Sequence, residues 1–283
     1  MKLSQKELKA FPDDIGAMFI FAAEQGCTAV HVHLGDEKKV KKIENAMRET
    51  GLAVASVGAM SCAMLGPDRE AQAHEHRQVE RALAMADRLG APTVSNFAGH
   101  NPTLDLAGNA EEFARVYEPH ALLAERFGLK ICFENAPMVG GQPRIARNIA
   151  YCPDHWQALF DACDSPALGI ELDIAHCVYV GIDTVEVIRQ WRHRIHHVHI
   201  KDSRINAGAR AGRGVLEGIP HGLVPLGEGE TDGEAVLRAL ADAGYNGYLT
   251  GDIEGHDIDA ARRNLDALKS CAERAGIGLK LSA

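Results

Sequence analysis

The feature that most restricts the fold of this chain is an alternation of short β-forming runs with amphipathic stretches. The runs cover residues 29–34, 52–57, 93–98, 129–134, 168–173, 195–200 and 248–253. Between them, apolar residues recur at helical spacing over 70–89, 111–127, 154–163, 184–191, 233–243 and 258–275, as in helices with one buried face. Helix-entry chemistry stands at Pro153 with Asp154, Asp183 with Thr184 and Thr231 with Asp232, while Gly128, Gly244 and Gly276 sit where helices should stop. Repeated β/α units close most readily into a parallel α/β barrel of the TIM type, whose functional groups gather at the C-terminal strand ends. Seven strands are visible, because residues 12–25 read as a helix with no persuasive strand before it. The expectation is therefore a (β/α)8 barrel with an incomplete or atypical first strand. Its rival, a doubly wound open sheet, lacks the Gly-x-Gly-x-x-Gly turn that would also signal a nucleotide cofactor. The 283 residues fit one barrel domain, 1–283, since such barrels take about 250 residues. Residues 202–229 read as one long irregular loop, and loops of that length are usually functional.

Composition narrows the function. The formal charge of -9 repels phosphate backbones, so no nucleic-acid partner is expected. No apolar run is long enough to span a membrane, and the polar start MKLSQKELKAFPDD does not read as a signal peptide, so a cytoplasmic location is expected. Seven dispersed cysteines without a C-x-x-C pair argue against a disulfide scaffold or a zinc knuckle and read mostly as small buried thiols.

The chemistry lies at the strand ends. Alternation in ICFEN puts Lys130, Cys132 and Glu134 on one face, and in LGIELDIAH it puts Glu171 with Asp173, His176 following in the loop. His197 shares a face with His199, and Asp252 shares one with Glu254. Carboxylates gathered at a barrel mouth repel one another unless a cation neutralises them, and a divalent metal is the economical cation. Three carboxylate oxygens and an imidazole suit Mn²⁺ or Mg²⁺ and tolerate Co²⁺ or Zn²⁺. Glu171, deeper than Asp173, needs a partner such as Lys130 or a supporting hydrogen-bonded role rather than a ligand role.

Five segments, FEN at 133–135, LDIAH at 172–176, HVHIKD at 197–202, PLGEGETD at 225–232 and GYNGYLTGDIEG at 244–255, occur in an order and spacing that resembles the xylose isomerase-like barrel superfamily of sugar isomerases and epimerases. The resemblance implies one metal held by Glu134, Asp173, His199 and a carboxylate of the last strand, and a substrate contact from His176. The family's last ligand is usually Glu. Here the matching residue is Asp252, with Glu254 as the alternative.

Such a site would remove a proton beside a carbonyl while the metal stabilises the enediolate. Glu134 would be the base, and Asp252 or Glu254 would return the proton. Its return decides between isomerisation and epimerisation, and a leaving hydroxyl would make the enzyme a sugar-acid or inosose dehydratase. A non-catalytic sugar-binding relative is the second alternative, and an abasic-site endonuclease is disfavoured by the ligand count and the acidic charge. Lys201 and Arg204, with Arg210 and Arg213, are candidates to grip a substrate anion, and His100 to touch sugar hydroxyls. His33 is a weaker candidate on an early strand, and Trp156 and Trp191 read as packing residues. The expected partner is a small sugar or polyol, and by analogy the chain forms a homo-oligomer.

Overall fold

The computed structural model describes every residue except 13, 141–144, 214–220, 254, 256 and 283. Eight parallel strands form a closed barrel: β1 (Lys2–Lys6), β2 (Ala29–His33), β3 (Ala53–Gly58), β4 (Thr93–Asn96), β5 (Lys130–Glu134), β6 (Leu168–Asp173), β7 (Ile195–Ile200) and β8 (Tyr248–Gly251). The first strand, expected to be incomplete or atypical, is present and closes the ring. It pairs Ser4 with Thr250 on one side and with Ala29 on the other.

The sequence KLSQK hid this strand because the barrel lumen is polar. Barrel interiors are ordinarily filled by branched apolar side chains. Here Ser4, His31, Ser56, Thr93, Ser95, Glu171, His197 and Thr250 are all fully or nearly fully buried. Ser4 Oγ lies 2.5 Å from Thr250 Oγ1, and His197 Nε2 lies 2.7 Å from the same hydroxyl. A strand that feeds such a lumen carries Ser and Lys inward, so it lacks the β-branched signature by which strands are recognised.

Helices surround the barrel: α1 (Ile15–Glu24), α2 (Glu37–Thr50), α3 (Arg69–Leu89), α4 (Leu106–Phe127), α5 (Pro153–Ala162), α6 (Ile174–Val180), α7 (Thr184–Trp191), α8 (Ala207–Arg213), α9 (Gly233–Asp242) and α10 (Ile258–Ala275). The sequence pattern missed α2, since EKKVKKIENAMRET offers a narrow stripe of Val40, Ile43 and Ala46 to the core. Asp36 caps its first turn and Gly51 its last. Helix α4 starts earlier than its periodicity indicates because Asp105 accepts the Gly108 N–H at 2.8 Å.

The expected irregular loop after residue 202 is partly regular. Asp202–Ile205 pairs antiparallel with His221–Val224, with α8 between them. Asp202, fully buried, organises the return of the chain: Oδ2 accepts the Gly227 and Gly229 N–H groups, and Oδ1 those of Ser203 and Thr231. A Cβ on Gly229 would lie 2.5 Å from Asp202 Oδ1, which explains a glycine at that point of the PLGEGETD segment. Trp156 and Trp191 pack edge to face with centroids 5.5 Å apart, and all seven cysteines are free thiols.

Helices α3 and α4 meet through His76 and His120, whose rings stack at 5.0 Å with Nδ1 and Nε2 at 2.7 Å. Burial first, and the neighbouring His76 second, push His120 down to about 4. Its contribution to stability is therefore complete above the unfolded value of about 6.5 and is lost as pH falls toward 4. We expect a loss on the order of 3 kcal/mol from this residue across that window, reduced in His120→Gln. Urea midpoints at pH 7 and pH 4.5 for both proteins measure it, and identical acid sensitivity would refute the assignment.

Candidate metal and active site

The local sequence of each strand end delivers one functional group to the same point. Glu134 ends β5 and Asp173 ends β6, whose alternation turns both inward. Asp173 is held on three counts. Its Oδ1 caps α6 through Ala175 N, Asn135 Oδ1 accepts its N–H at 2.7 Å, and its carbonyl accepts from Asn135 Nδ2 at 3.0 Å. Asn148 Nδ2 donates to the Glu134 carbonyl at 2.8 Å and to that of Ala136 at 2.7 Å, fixing the turn that follows β5. In the sequence Asn135 is only a letter of the FEN segment, and Asn148 lies in no motif.

Glu134, Asp173, His199 and Asp252 are all buried, and each offers a donor atom within 4.8 Å of the others. His199 Nδ1 lies 3.3 Å from Glu134 Oε1, 3.4 Å from Asp252 Oδ2 and 3.8 Å from Asp173 Oδ2. His176 joins from α6, with Nε2 3.8 Å from both Glu134 Oε1 and Asp173 Oδ2. The expected quartet and His176 are thus brought together. Glu254 lies outside the described residues.

Lys201 is a correction. Expected near the loop as a grip for substrate, it is fully buried, with Nζ 2.8 Å from Asp252 Oδ2 and 3.0 Å from Asp173 Oδ2. Period-two alternation carries it inward two residues after His199, and only a carboxylate pair makes that burial tolerable. Lys6, which the sequence reading missed along with its strand, lies 3.1 Å from Asp252 Oδ1. Each oxygen of Asp252 therefore faces one ammonium group. Burial would raise the Asp252 carboxyl, but Lys201 and then Lys6 outweigh it and hold it well below the usual carboxylate range. Burial likewise opposes the charge on Lys6, yet Asp252 and Glu134 raise its pKa.

The remaining candidates part from the cluster. Arg204 is exposed on the hairpin, donating from Nε to the Glu228 carbonyl at 2.7 Å, because the chain leaves the barrel mouth once Asp202 is anchored. Arg210 is exposed on α8. His100 donates from Nδ1 to the Ala146 carbonyl at 2.6 Å and borders a neighbouring cavity, as does His33.

A second set, His31, Glu171, His197 and His199, lies in the lumen beneath the first and shares His199 with it. Glu171 Oε1 and His31 Nδ1 both lie 3.3 Å from His199 Nε2, while Ser95 Oγ donates to Glu171 Oε2. The partner expected for Glu171, Lys130, instead donates to the Pro166 carbonyl at 2.7 Å. His199 Nε2 has His31 Nδ1 as its hydrogen-bond partner and faces Glu171, so a proton held on that side would leave Nδ1 bare toward the upper carboxylates, the orientation that a ligating imidazole needs.

The charges decide how well a cation fits. Four buried carboxylates, Glu134, Glu171, Asp173 and Asp252, meet two ammonium groups, Lys6 and Lys201. The deficit is two positive charges, which one divalent ion supplies and which a second ion in the lower set would overshoot. Asp173 Oδ2 is buried without a hydrogen-bond partner among the described residues, with Lys201 Nζ 3.0 Å away as an ion-pair contact. Burial lowers the His199 pKa, but Glu171, Asp252 and the hydrogen bond to Glu134 overcome that and raise it to about 10, so the imidazole itself takes up positive charge. Binding of a metal there would displace that proton. The donor set therefore fits a divalent cation.

No helix among the described residues is long and apolar enough to cross a membrane. Inosose dehydratase of Clostridium perfringens is 33% identical over 100 residues, and the match spans 34% of this chain and 34% of that protein, about a third of each. Two solved structures share the fold. The 3-keto-D-glucoside 4-epimerase of E. coli superposes with a TM-score of 0.76 at 19% identity, over 96% of this chain and 99% of its own. A D-tagatose 3-epimerase-like protein does so with a TM-score of 0.77 at 20% identity, over 98% of both chains. A family model described as a xylose isomerase-like TIM barrel matches residues 19–271. This chain belongs to the xylose isomerase-like TIM barrel family.

Proposed function

We propose that this protein is a metal-dependent sugar or polyol isomerase or epimerase that removes a proton from a carbon beside a carbonyl. The observation that carries the reading is the convergence of Glu134, Asp173, His199 and Asp252 on one point with a deficit of two positive charges. These four residues would hold a divalent cation, with Mn²⁺ favoured by their oxygen-rich donor set. When bound, such a cation supplies positive charge beside the substrate oxygens, where negative charge develops as the proton leaves.

The chain's own groups divide the remaining work. Glu134 takes the proton, since its carboxylate faces the imidazoles of His199 and His176 while both oxygens of Asp252 face lysines. On this reading Asp252, expected with Glu254 as the alternative to return the proton, is poorly placed to do so, because each of its oxygens faces an ammonium group. Beside its place in the metal quartet, it holds the ammonium groups of Lys6 and Lys201. Lys6, whose side chain is 12% exposed, presents a fixed positive charge to a substrate oxygen at the mouth. His176, whose Nε2 faces the cluster 3.8 Å from Glu134 Oε1 and Asp173 Oδ2, hydrogen-bonds a substrate hydroxyl.

Dehydration of an inosose or sugar acid is the second reading, favoured by the match to inosose dehydratase. It needs the same proton removal followed by loss of a neighbouring hydroxyl. Metal analysis of the purified protein, then solvent-deuterium incorporation into ketoses, sugar acids and inososes by mass spectrometry, tests both. We expect exchange that stops on chelation and returns with Mn²⁺. Loss of water from the labelled product identifies the dehydratase, and an absence of bound metal after Mn²⁺ loading overturns the site.

A further inference from the structure

A cavity of about 980 Å³ opens beside the cluster, on the side of β2, β3 and β4. Ligand clefts run from roughly 300 to 1,000 Å³, so this one lies at the top of the range, whereas a free hexose has only about a dozen heavy atoms. It adjoins the site through the residues of β2 and β3. His33 and Gly58 line it, a Cβ on Gly58 would lie 3.1 Å from His31 Nε2, and His31 in turn touches His199. Arg147, also in the lining, precedes the Asn148 that fixes the Glu134 backbone.

The lining is mixed in a way a single sugar does not require. Met60, Phe97 and Met138 contribute apolar surface, and Glu75 and Arg147 contribute charge. Glu75 Oε2 is buried with no hydrogen-bond partner among the described residues. Arg147 donates from Nε to the Met138 carbonyl and meets no carboxylate among the described residues. Met60 and Met138, at φ 53° and 51°, are the two non-glycine residues with positive φ among those described, and both border this cavity. Strain of that kind persists where surrounding structure enforces it, and it concentrates at ligand sites.

We propose that the substrate is a two-part molecule, a keto-sugar carrying a second ring as a substituent, with the reacting sugar at Glu134 and the second ring in this cavity. The inference rests on the sugar-acting reading above and adds the substrate class. A ring with an apolar face and a hydroxyl-bearing edge satisfies the methionine and phenylalanine wall together with Glu75 and Arg147. An aryl group and a second sugar share that chemistry.

Calorimetric titration of the full Mn²⁺-loaded protein with glucose, methyl glucoside, phenyl glucoside and cellobiose tests this without turnover. Phenyl glucoside, cellobiose or both should bind at least about tenfold more tightly than methyl glucoside, the better of the two naming the second ring. Ala63→Phe and Ala146→Phe, which fill the cavity from different walls, should each remove that advantage while retaining the Mn²⁺ content of the parent. Equal affinities across the series, no binding of any member, or an advantage that survives both fillings overturns the proposal. A retained preference without deuterium exchange in ring-ketone forms of the same sugars would sink the enzymatic reading and leave the two-ring site standing.

Discussion

Glu134→Gln is expected to lower kcat by about 10²–10⁴-fold, the usual contribution of a positioned general base, while retaining much of the bound metal. The amide keeps the shape of the carboxylate and one oxygen for the cation, but it cannot accept the substrate proton. His199→Ala and Asp173→Ala should behave differently. Each removes a donor that its neighbours hold in place, His199 being flanked by Glu171 from below and Asp173 being held by Asn135 through two hydrogen bonds to its backbone. In these two variants activity should fall together with metal content. Metal analysis alongside single-turnover deuterium exchange separates the two patterns. Full activity in Glu134→Gln would remove the proposed base, and wild-type metal content in both alanine variants would remove the proposed centre.

Lys201→Met should destabilise the chelator-treated protein by about 3–5 kcal/mol, the cost of leaving buried carboxylates without their partner. Lys201 has no exposed surface, and Asp173 and Asp252 lie 3.0 and 2.8 Å from its ammonium group. Methionine matches its length but not its charge. With His199 protonated in the absence of metal, the buried deficit then grows from one positive charge to two, a load that Lys6, bound to the other oxygen of Asp252, cannot carry alone. Lys201→Met with Asp252→Asn should recover part of the loss, because the second change removes one of the abandoned charges. Saturating Mn²⁺ should stabilise both the parent and the variant by mass action, about 2.7 kcal/mol at a hundredfold excess over Kd. Urea denaturation with and without Mn²⁺ provides the comparison. A loss below about 1 kcal/mol in Lys201→Met would place the lysine among weak surface pairs instead.

Much of this architecture was written locally. Seven barrel strands and most of their helices were legible because burial imposes a period of two on strands and near 3.6 on helices, whatever lies across the interface. The same alternation placed Glu134, Asp173, His199 and Asp252 at inward-facing strand ends. What resisted reading was set by partners far away in sequence. KLSQK is a strand because it lies between β2 and β8, and its Ser4 and Lys6 are tolerable inside only because Thr250 and Asp252 meet them there. Lys201 looked like a loop cation until the carboxylates on either side drew it into the barrel. Arg204, by contrast, was taken outward by the hairpin that Asp202 anchors.

The sequence by itself determined which residues could face the lumen, and with them the family and the identities of the candidate ligands. Only the tertiary structure decided how their charges are balanced. Periodicity is a property of one segment, whereas the two lysines, the shared His199 and the cavity beside Gly58 exist only once eight strands have closed on one another.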